Sequence, residues 1–598
     1  MIKNKKDIRL AYLSGFTAGF IFLLANFSQS ANAQNLDNLV PEKVPQMVSP
    51  PVGDSPQSLE RVADFGAAEG ETVILDKLEG LIFLETTEGL IANPSAYMGG
   101  RQLDVSKFPH LQDESFEMIA NTFLGLPISA ESLRRLQQVT RIHLRQLGHS
   151  FTLVFLPEQD ITDGYIQVVL MESRFSGEID VEGNRYFSDE QYQKWIRQAD
   201  DGAIDAQALD KDIAWINRNP FRAASVVASP GSERGTTKLV IQAREIEPVR
   251  FFVGANNTGT QSTTEERALA GFNWGNAFGL GHQLTMQVTT DQGFEHSKSL
   301  SGSYTMDLPW RHSLNVSAAY SETDGIVAEP FNLEGKSSQL ALGYTLPLTP
   351  AINDRLTQNL TFGFDFKSSD NNFDFADIPI TDNVTEVVQL KAQYSGALSD
   401  KYGSTSGSLA ITASPGGVTS RNEDEFFSLS RANASADYIY STLNVNRRTP
   451  LSGPMDGWTW TARIKAQLAS HNLIGSEQFG AGGSGSVRGY EEGEVFGDEG
   501  FLFSQELVAP PLQLAERLGL TMRDSLSLYV FQDYAQTRSV EKLPGEKNFK
   551  LHSLGLGFRY QLSQLLTAQA AWGFQLRDSG SSNTGDNDNL HVSVQVSF

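Results

Sequence analysis

From Val249 to the C-terminus, apolar and polar residues alternate with a period of two. Trp458, Trp460, Ala462, Ile464, Ala466 and Leu468 interleave with Thr459, Thr461, Arg463, Lys465 and Gln467. Leu360, Phe362, Phe364 and Phe366 interleave in the same way with Thr361, Gly363, Asp365 and Lys367. Leu566, Ala568, Ala570, Trp572, Phe574 and Leu576 repeat the pattern near the end of the chain. Successive side chains of a strand point to opposite faces, so each set lines one face. A soluble sandwich also alternates, but charges such as Arg463 and Lys465 recurring on one face suit a water-filled lumen better. The segments between turn signals number about sixteen, an even count that brings the chain end back to its starting side. The expected fold is therefore mainly β, with a transmembrane β-barrel of about sixteen strands over residues 248–598.

Upstream the period changes to that of short helices, and it does so twice. Ile128-Ser-Ala-Glu-Ser-Leu133 and Ile204-Asp-Ala-Gln-Ala-Leu209 stand 76 positions apart. Each has an apolar residue, a capping Ser or Asp, and a Leu four positions into the helix, the arrangement of a hydrophobic staple. The first helix is expected to bury Leu133, Leu136, Leu144 and Leu147 and to stop at Gly148. The second is expected to bury Leu209, Ile213 and Ile216 and to stop before Pro220. A strand (81–85; 177–181) and a shorter helix (114–123; 189–198) precede each long helix. Two short strands follow each (151–156 and 165–171; 223–229 and 237–243). The order β-α-α-β-β thus appears over 78–173 and again over 174–247. His149-Ser150 is the nearest thing here to a catalytic pair, but no acid or oxyanion loop accompanies it.

The N-terminus reads as a targeting segment. Lys3, Lys5, Lys6 and Arg9 precede an apolar run from Leu10 to Phe27, and Ala31-Asn-Ala33 supplies a small-residue cleavage site. That describes a signal peptide over 1–33; Ser14, Thr17 and Asn26 interrupt the run and weaken the alternative of a membrane anchor. Residues 34–77 are polar and punctuated by Pro41, Pro45, Pro50, Pro51 and Pro56, as in an extended linker. The absence of cysteine excludes a disulfide framework for this exported chain. A net charge of −24 over 598 residues argues against nucleic acid as a partner.

Candidate chemistry concentrates in one stretch, Phe479-Gly-Ala-Gly-Gly-Ser-Gly-Ser-Val-Arg-Gly-Tyr490, within a loop spanning 471–499. It is too long for a hairpin turn, and its glycines permit close approach to other backbone. It reads as a flexible arm that places one cation, Arg488, at one point; a surface loop with a chance arginine is the alternative. On the strand after it, Leu526, Leu528 and Val530 take the lipid face, so Ser527, Tyr529, Phe531 and Asp533 point inward. An arginine on a loop threaded inside and a carboxylate on the inner wall are then free to pair.

The two small repeats resemble POTRA domains of outer-membrane transport proteins. Together with the barrel they resemble the two-partner secretion transporters, the ShlB/FhaC/HecB family of haemolysin secretion/activation proteins. Val487-Arg488-Gly489-Tyr490 matches that family's VRGY/F motif, and Phe531-Gln-Asp533-Tyr-Ala535 is similar to its F-x-D-x-G motif, with Ala535 where glycine is usual. Ile216-Asn217-Arg-Asn219-Pro220-Phe-Arg222 resembles the family's asparagine–proline stretch. The terminal strand, Leu590 to Phe598, resembles the signal by which outer-membrane barrels are taken up for assembly.

The resemblance implies an outer-membrane translocator with its POTRA domains in the periplasm. It would secrete an unfolded partner exoprotein such as a hemolysin or adhesin by type V secretion. Val487, Arg488, Gly489, Tyr490, Phe531 and Asp533 would then serve translocation and gating. Asn217, Asn219, Pro220 and Arg222 would serve client docking. Outer-membrane lipid, lipopolysaccharide and the barrel-assembly machinery are the other partners implied; no cofactor and no metal are. The family often carries an N-terminal plug helix, which Gln34–Val40, running into Pro41, does not suggest. A BamA-type insertase remains the alternative, and a barrel-embedded enzyme the second. Gly482-Gly-Ser484-Gly-Ser486 departs from a nucleophile elbow at its last position, and the histidines are scattered without H-E-x-x-H.

Overall fold

The computed structural model describes residues 72–598 apart from 150, 173, 199–201, 203, 234–235, 327–330, 353–354, 376–377, 518–521 and 581–586. The signal peptide, the linker up to residue 71, the question of a plug at Gln34–Val40, and Ser150 lie outside the described residues. The described chain falls into two compact units, 72–247 and 248–598.

The first unit holds two small α/β layers in succession. In the first, the strands Leu103–Asp104, Gly80–Leu84, Tyr165–Glu172 and Thr152–Phe155 lie in that order, with Gly80–Leu84 parallel to Tyr165–Glu172. The helices Glu114–Asn121 and Ala130–Gln146 bury Phe116, Ala120, Leu136, Val139 and Leu144 with Leu81, Phe83, Ile166 and Val168. In the second, Arg174–Glu182, Thr236–Glu245 and Arg222–Pro230 form a sheet in that order. Helix Ala206–Ile216 packs Trp215 and Ile216 with Tyr192, Trp195, Phe221 and Ile241. Both long helices begin at the capping residue read from the sequence. The Ser129 hydroxyl accepts from the Ser132 amide and the Asp205 carboxylate from the Ala208 amide.

Four local expectations change. Leu147 is 37% exposed and Leu133 only half-buried. The helix ends at Gln146, and Gly148 at φ 92° turns the chain away before Leu147 can face inward. In the second repeat Ile213 is half-buried, while Trp215 takes the core position, its ring 5.8 Å from that of Trp195. The short helix expected to reach residue 198 stops at Gln193. Gln198 instead exchanges hydrogen bonds with the Asp205 backbone, 3.1 and 2.8 Å, and so forms the turn into the next helix. The first repeat also gains a short helix, Pro94–Met98, and the edge strand Leu103–Asp104, neither of which a period-two or period-3.6 pattern marks at such lengths.

The second unit is a closed barrel of sixteen antiparallel strands. Counted from the first, Val249–Asn256, the strands used below are the seventh (Leu356–Phe375), tenth (Asp437–Pro450), eleventh (Thr459–Ala469) and twelfth (Glu499–Val508). The thirteenth to sixteenth are Asp524–Arg538, Phe549–Leu562, Leu566–Gln575 and Asp588–Ser597. Closure is made by the first strand against the sixteenth, from Phe252 opposite Ser597 to Asn256 opposite Ser593. Phe598 extends this seam by exchanging two 2.9 Å backbone hydrogen bonds with Phe251.

The alternation sets the two faces. Phe362, Leu390, Leu468, Leu528, Val530, Trp572 and Leu590 stand exposed on the outside, as lipid contact requires. Inside, neighbouring strands are tied by hydroxyl and amide pairs such as Thr285–Asn273, Asn315–Thr305 and Thr345–Thr361, each 2.9 Å. Trp310 and His312 meet the Tyr344 hydroxyl at the turn end of their strands, an aromatic cluster of the kind found at membrane interfaces.

The cap residues give a first test. Ser129→Ala and Asp205→Ala each remove a side-chain acceptor from a helix N-terminus, at a cost of about 1 kcal/mol. Thermal melting of the isolated segment Gln46–Glu247 is expected to show each loss separately, the two adding in the double variant because the caps sit in different repeats.

Candidate functional site

The loop between the eleventh and twelfth strands leaves the barrel wall at residue 470 and returns at 498. Its glycine-rich stretch is not a loose arm, contrary to the sequence expectation. A two-stranded ribbon pairs Phe479–Ala481 with Val495–Gly497. The Ser486 hydroxyl bridges the Gly482 amide and carbonyl at 2.8 Å each, and the Gly483 amide donates to the Val487 carbonyl. Phe479, Ala481, Val487, Tyr490 and Val495 pack with Leu502, Ala535 and Leu551 of the inner wall. The physical reason is that serine hydroxyls and alternating apolar residues satisfy the loop from within. Ala535, standing where glycine is usual in the resembling family, is fully buried in this cluster.

Arg488 meets Asp533 here. The two are 6% and 0% exposed. Asp533 lies on the thirteenth strand opposite Ser504 of the twelfth. Its Oδ2 accepts from the Arg488 Nε at 2.8 Å and from the Arg488 backbone amide at 3.1 Å. Its Oδ1 accepts from the Arg488 Nη2 at 2.8 Å and from the Ser504 hydroxyl at 2.6 Å. A carboxylate offers about four lone-pair directions, and all of them are used. Arg488 Nη1 donates at 2.5 Å to Glu506, which also takes two bonds from Arg559, 2.8 and 2.9 Å. The guanidinium lies 3.6 Å from the Phe531 ring centre, a cation–π contact that also excludes water. Two arginines and two acids therefore balance, with Arg488 and Asp533 buried and Arg559 at the exposed edge. Removing Arg488 or Asp533 strands its partner, at a cost of about 3–5 kcal/mol, where an exposed pair would be worth at most about 1 kcal/mol.

The motif residues beside Arg488 fix where it sits. Gly489 has φ 94°, and a methyl group on it would lie 2.7 Å from the carbonyl carbon of Gly573 on the fifteenth strand. A methyl on Gly573 would lie 2.5 Å from the Gly489 nitrogen, so the approach needs glycine on both sides. The Gly489 amide donates to His591 Nε2 at 3.3 Å, which places that ring's proton on Nδ1, and the Gly489 carbonyl accepts from Gln575 at 2.8 Å. The Tyr490 hydroxyl donates its one proton to the Arg577 carbonyl, with the His552 carbonyl also in reach, and accepts from the His552 amide. Val487 is fully buried in the apolar cluster described above.

The other sequence-marked stretch lies in the second small repeat. Asn217 brackets Ala224, donating to its carbonyl at 2.9 Å and accepting from its amide at 2.6 Å. The Asn219 side chain is buried and accepts from the Phe221 amide at 3.1 Å. Arg222 is buried, donates to the Ile216 carbonyl at 3.1 Å and lies over the Phe187 and Tyr192 rings. Of the four, Pro220 and Asn217 are exposed, Asn217 while holding Ala224, and Asn219 and Arg222 are buried. Asn217, Asn219 and Arg222 thus hold a helix-to-strand turn together, with Pro220 at its tip.

Sequence reasoning missed Ser504, Glu506, Arg559, Gly573, Gln575 and His591. The alternation does place Ser504, Glu506 and Arg559 on the inner face, but it gives no height along the barrel axis. Their meeting with Arg488 depends on the stagger between strands.

Residues 235–560 match the family described as haemolysin secretion/activation protein ShlB/FhaC/HecB. The chain belongs to this family. The outer membrane transporter CdiB of Dickeya dadantii is 23% identical over 372 residues, covering 60% of this chain and 63% of that relative. The heme/hemopexin transporter protein HuxB of Haemophilus influenzae is 22% identical over 471 residues, covering 76% and 79%. CdiB from Escherichia coli shares the fold at TM-score 0.64 and 16% identity, over 98% of this chain and 99% of that one. BamA from Haemophilus ducreyi lacking POTRA domains 1–3 shares it at TM-score 0.52 and 14% identity, over 88% and 100%.

Membership in the ShlB/FhaC/HecB family makes the chain an outer-membrane barrel with POTRA domains in the periplasm. Strand parity then places the Arg488 loop among the extracellular connections, folded back into the lumen. The two-glycine contact tests that placement. The chain has no cysteine, so Val487→Cys is a unique thiol, buried when the loop is seated. It is expected to resist maleimide in the otherwise unaltered barrel. It should react readily when Gly573→Val fills the space Gly489 occupies, with the barrel still heat-modifiable on gels.

Proposed function

We propose that this chain translocates one secreted partner protein across the outer membrane by two-partner secretion. Family membership supports the transporter class. The observation that carries the mechanism is the buried set of Arg488, Asp533 and Glu506, which ties the extracellular loop 470–498 inside the lumen. A loop held there by directed ionic hydrogen bonds controls the open cross-section of the barrel. Val487, Gly489, Tyr490 and Phe531 set the seat into which Arg488 fits.

The client is an unfolded chain, docking first on the POTRA repeats. Small sheets with free edges recognise extended backbone through main-chain hydrogen bonds, which suits an unfolded client of any sequence. The turn at Asn217, Asn219, Pro220 and Arg222 serves docking by its shape, since three of its side chains are engaged within the domain. Lipid and lipopolysaccharide surround the apolar barrel face. The barrel-assembly machinery reads the terminal strand ending in Phe598. No residue is assigned a catalytic role. An insertase of the BamA kind shares the fold, and the family match favours secretion.

The test is secretion by Arg488→Ala. The variant is expected to reach the outer membrane at wild-type level as a heat-modifiable barrel and to release partner exoprotein at only a small fraction of the wild-type rate. Release at the wild-type rate would remove the loop from the mechanism.

A further inference from the structure

The loop that carries Arg488 is held at a second place, far round the barrel from the first. Glu477, near the loop's start, is 4% exposed, and its Oε1 accepts from the Lys367 ammonium of the seventh strand at 2.8 Å. Its Oε2 accepts from the Tyr440 hydroxyl of the tenth strand at 3.0 Å, and its carbonyl from Gln467 of the eleventh at 2.9 Å. Val387, Phe427, Tyr438, Leu473 and Ile474 form an apolar cluster beside this ion pair. The tip, by contrast, bonds to the thirteenth strand through Asp533, to the fifteenth through Gln575 and to the sixteenth through His591. In a closed barrel of sixteen strands, the seventh lies six strands from the thirteenth and seven from the sixteenth.

Between the two holds the loop is a closed body. Asp498 joins its ends, accepting from the Leu473 amide at 2.8 Å, from the Val540 amide at 3.0 Å and from Arg431. The ribbon of Phe479–Ala481 with Val495–Gly497 stiffens the stretch that leads to the tip. A stiff body fastened at its tip alone still swings about that point; a second fastening elsewhere on the wall fixes its orientation. A buried ion pair adds little stability over apolar packing, and its best-attested use is to set register.

We propose that Lys367 and Glu477 are positioning residues for Arg488. They latch the root of the loop to the seventh strand, six strands round the barrel from the strand of Asp533, so that the loop is a bar fixed at both ends. With the latch broken the bar swings about its tip, and Arg488 no longer holds the loop in the one orientation from which transport starts. This rests on the translocation reading above.

The test uses the full-length protein carrying the single thiol Val487→Cys, with Lys367→Met, Glu477→Gln or Lys367→Arg added. Glu477→Gln keeps a side chain of the same shape, and Lys367→Arg keeps the charge. Maleimide labelling of the tip thiol in intact outer membranes is expected to rise by about tenfold or more for Lys367→Met and Glu477→Gln, and to return toward the reference for Lys367→Arg. Exoprotein release without the thiol is expected to fall in the same order at equal barrel levels. Unchanged labelling in both neutral variants overturns the latch whatever secretion does, because labelling needs no client. Labelling that rises while secretion stays at wild type keeps the latch and instead overturns the reading that the loop gates transport. If Lys367→Met lowers barrel levels, the decision passes to Glu477→Gln.

Discussion

A single requirement organises the barrel: a charged side chain placed inside a mostly dry site must have every hydrogen bond met. Arg488 meets it by spending its donors on Asp533, Glu506 and Ser504 and its face on Phe531. That geometry forces the rest. Asp533 must stand on an inward position of the thirteenth strand, the neighbouring backbone must approach Gly573 within a methyl's breadth, and Arg559 must balance the second acid. The loop is ordered by the needs of its one arginine, and the apolar residues around that arginine keep water out.

Much of this is legible in the amino-acid sequence. Period-two alternation shows which residues share a face, so the sixteen strands and the inward direction of Asp533 can be read from the letters alone. The length of the 471–499 loop and the isolation of Arg488 among glycines and serines point to a placed charge. The capping residues Ser129 and Asp205 mark both long helices to within a residue. These signals are local, and local physics sets them.

The unread part is non-local. Alternation is silent on axial height, so nothing in the sequence ranks Glu506 above other inward acids or links Lys367 to Glu477 across more than a hundred residues. Trp215 displaces Ile213 from the core because a ring partner, Trp195, stands ready in another helix-turn segment. The glycine-rich stretch misleads in the opposite direction. Glycine and serine suggest mobility when counted, yet here the serines close the loop on itself and the glycines admit neighbouring backbone. Composition describes the freedom a segment has, and packing decides how that freedom is used.

The central claim is that Arg488 and Asp533 act as one unit in transport. A double-mutant cycle on exoprotein release measures this directly, with Arg488→Ala, Asp533→Ala and the double variant compared at equal outer-membrane barrel levels. If the two act only through each other, the double variant releases exoprotein no more slowly than the slower single, because the second substitution removes a partner already stranded. If the two losses multiply, or Asp533→Ala secretes as wild type does, the pair is not the fastening that holds the loop.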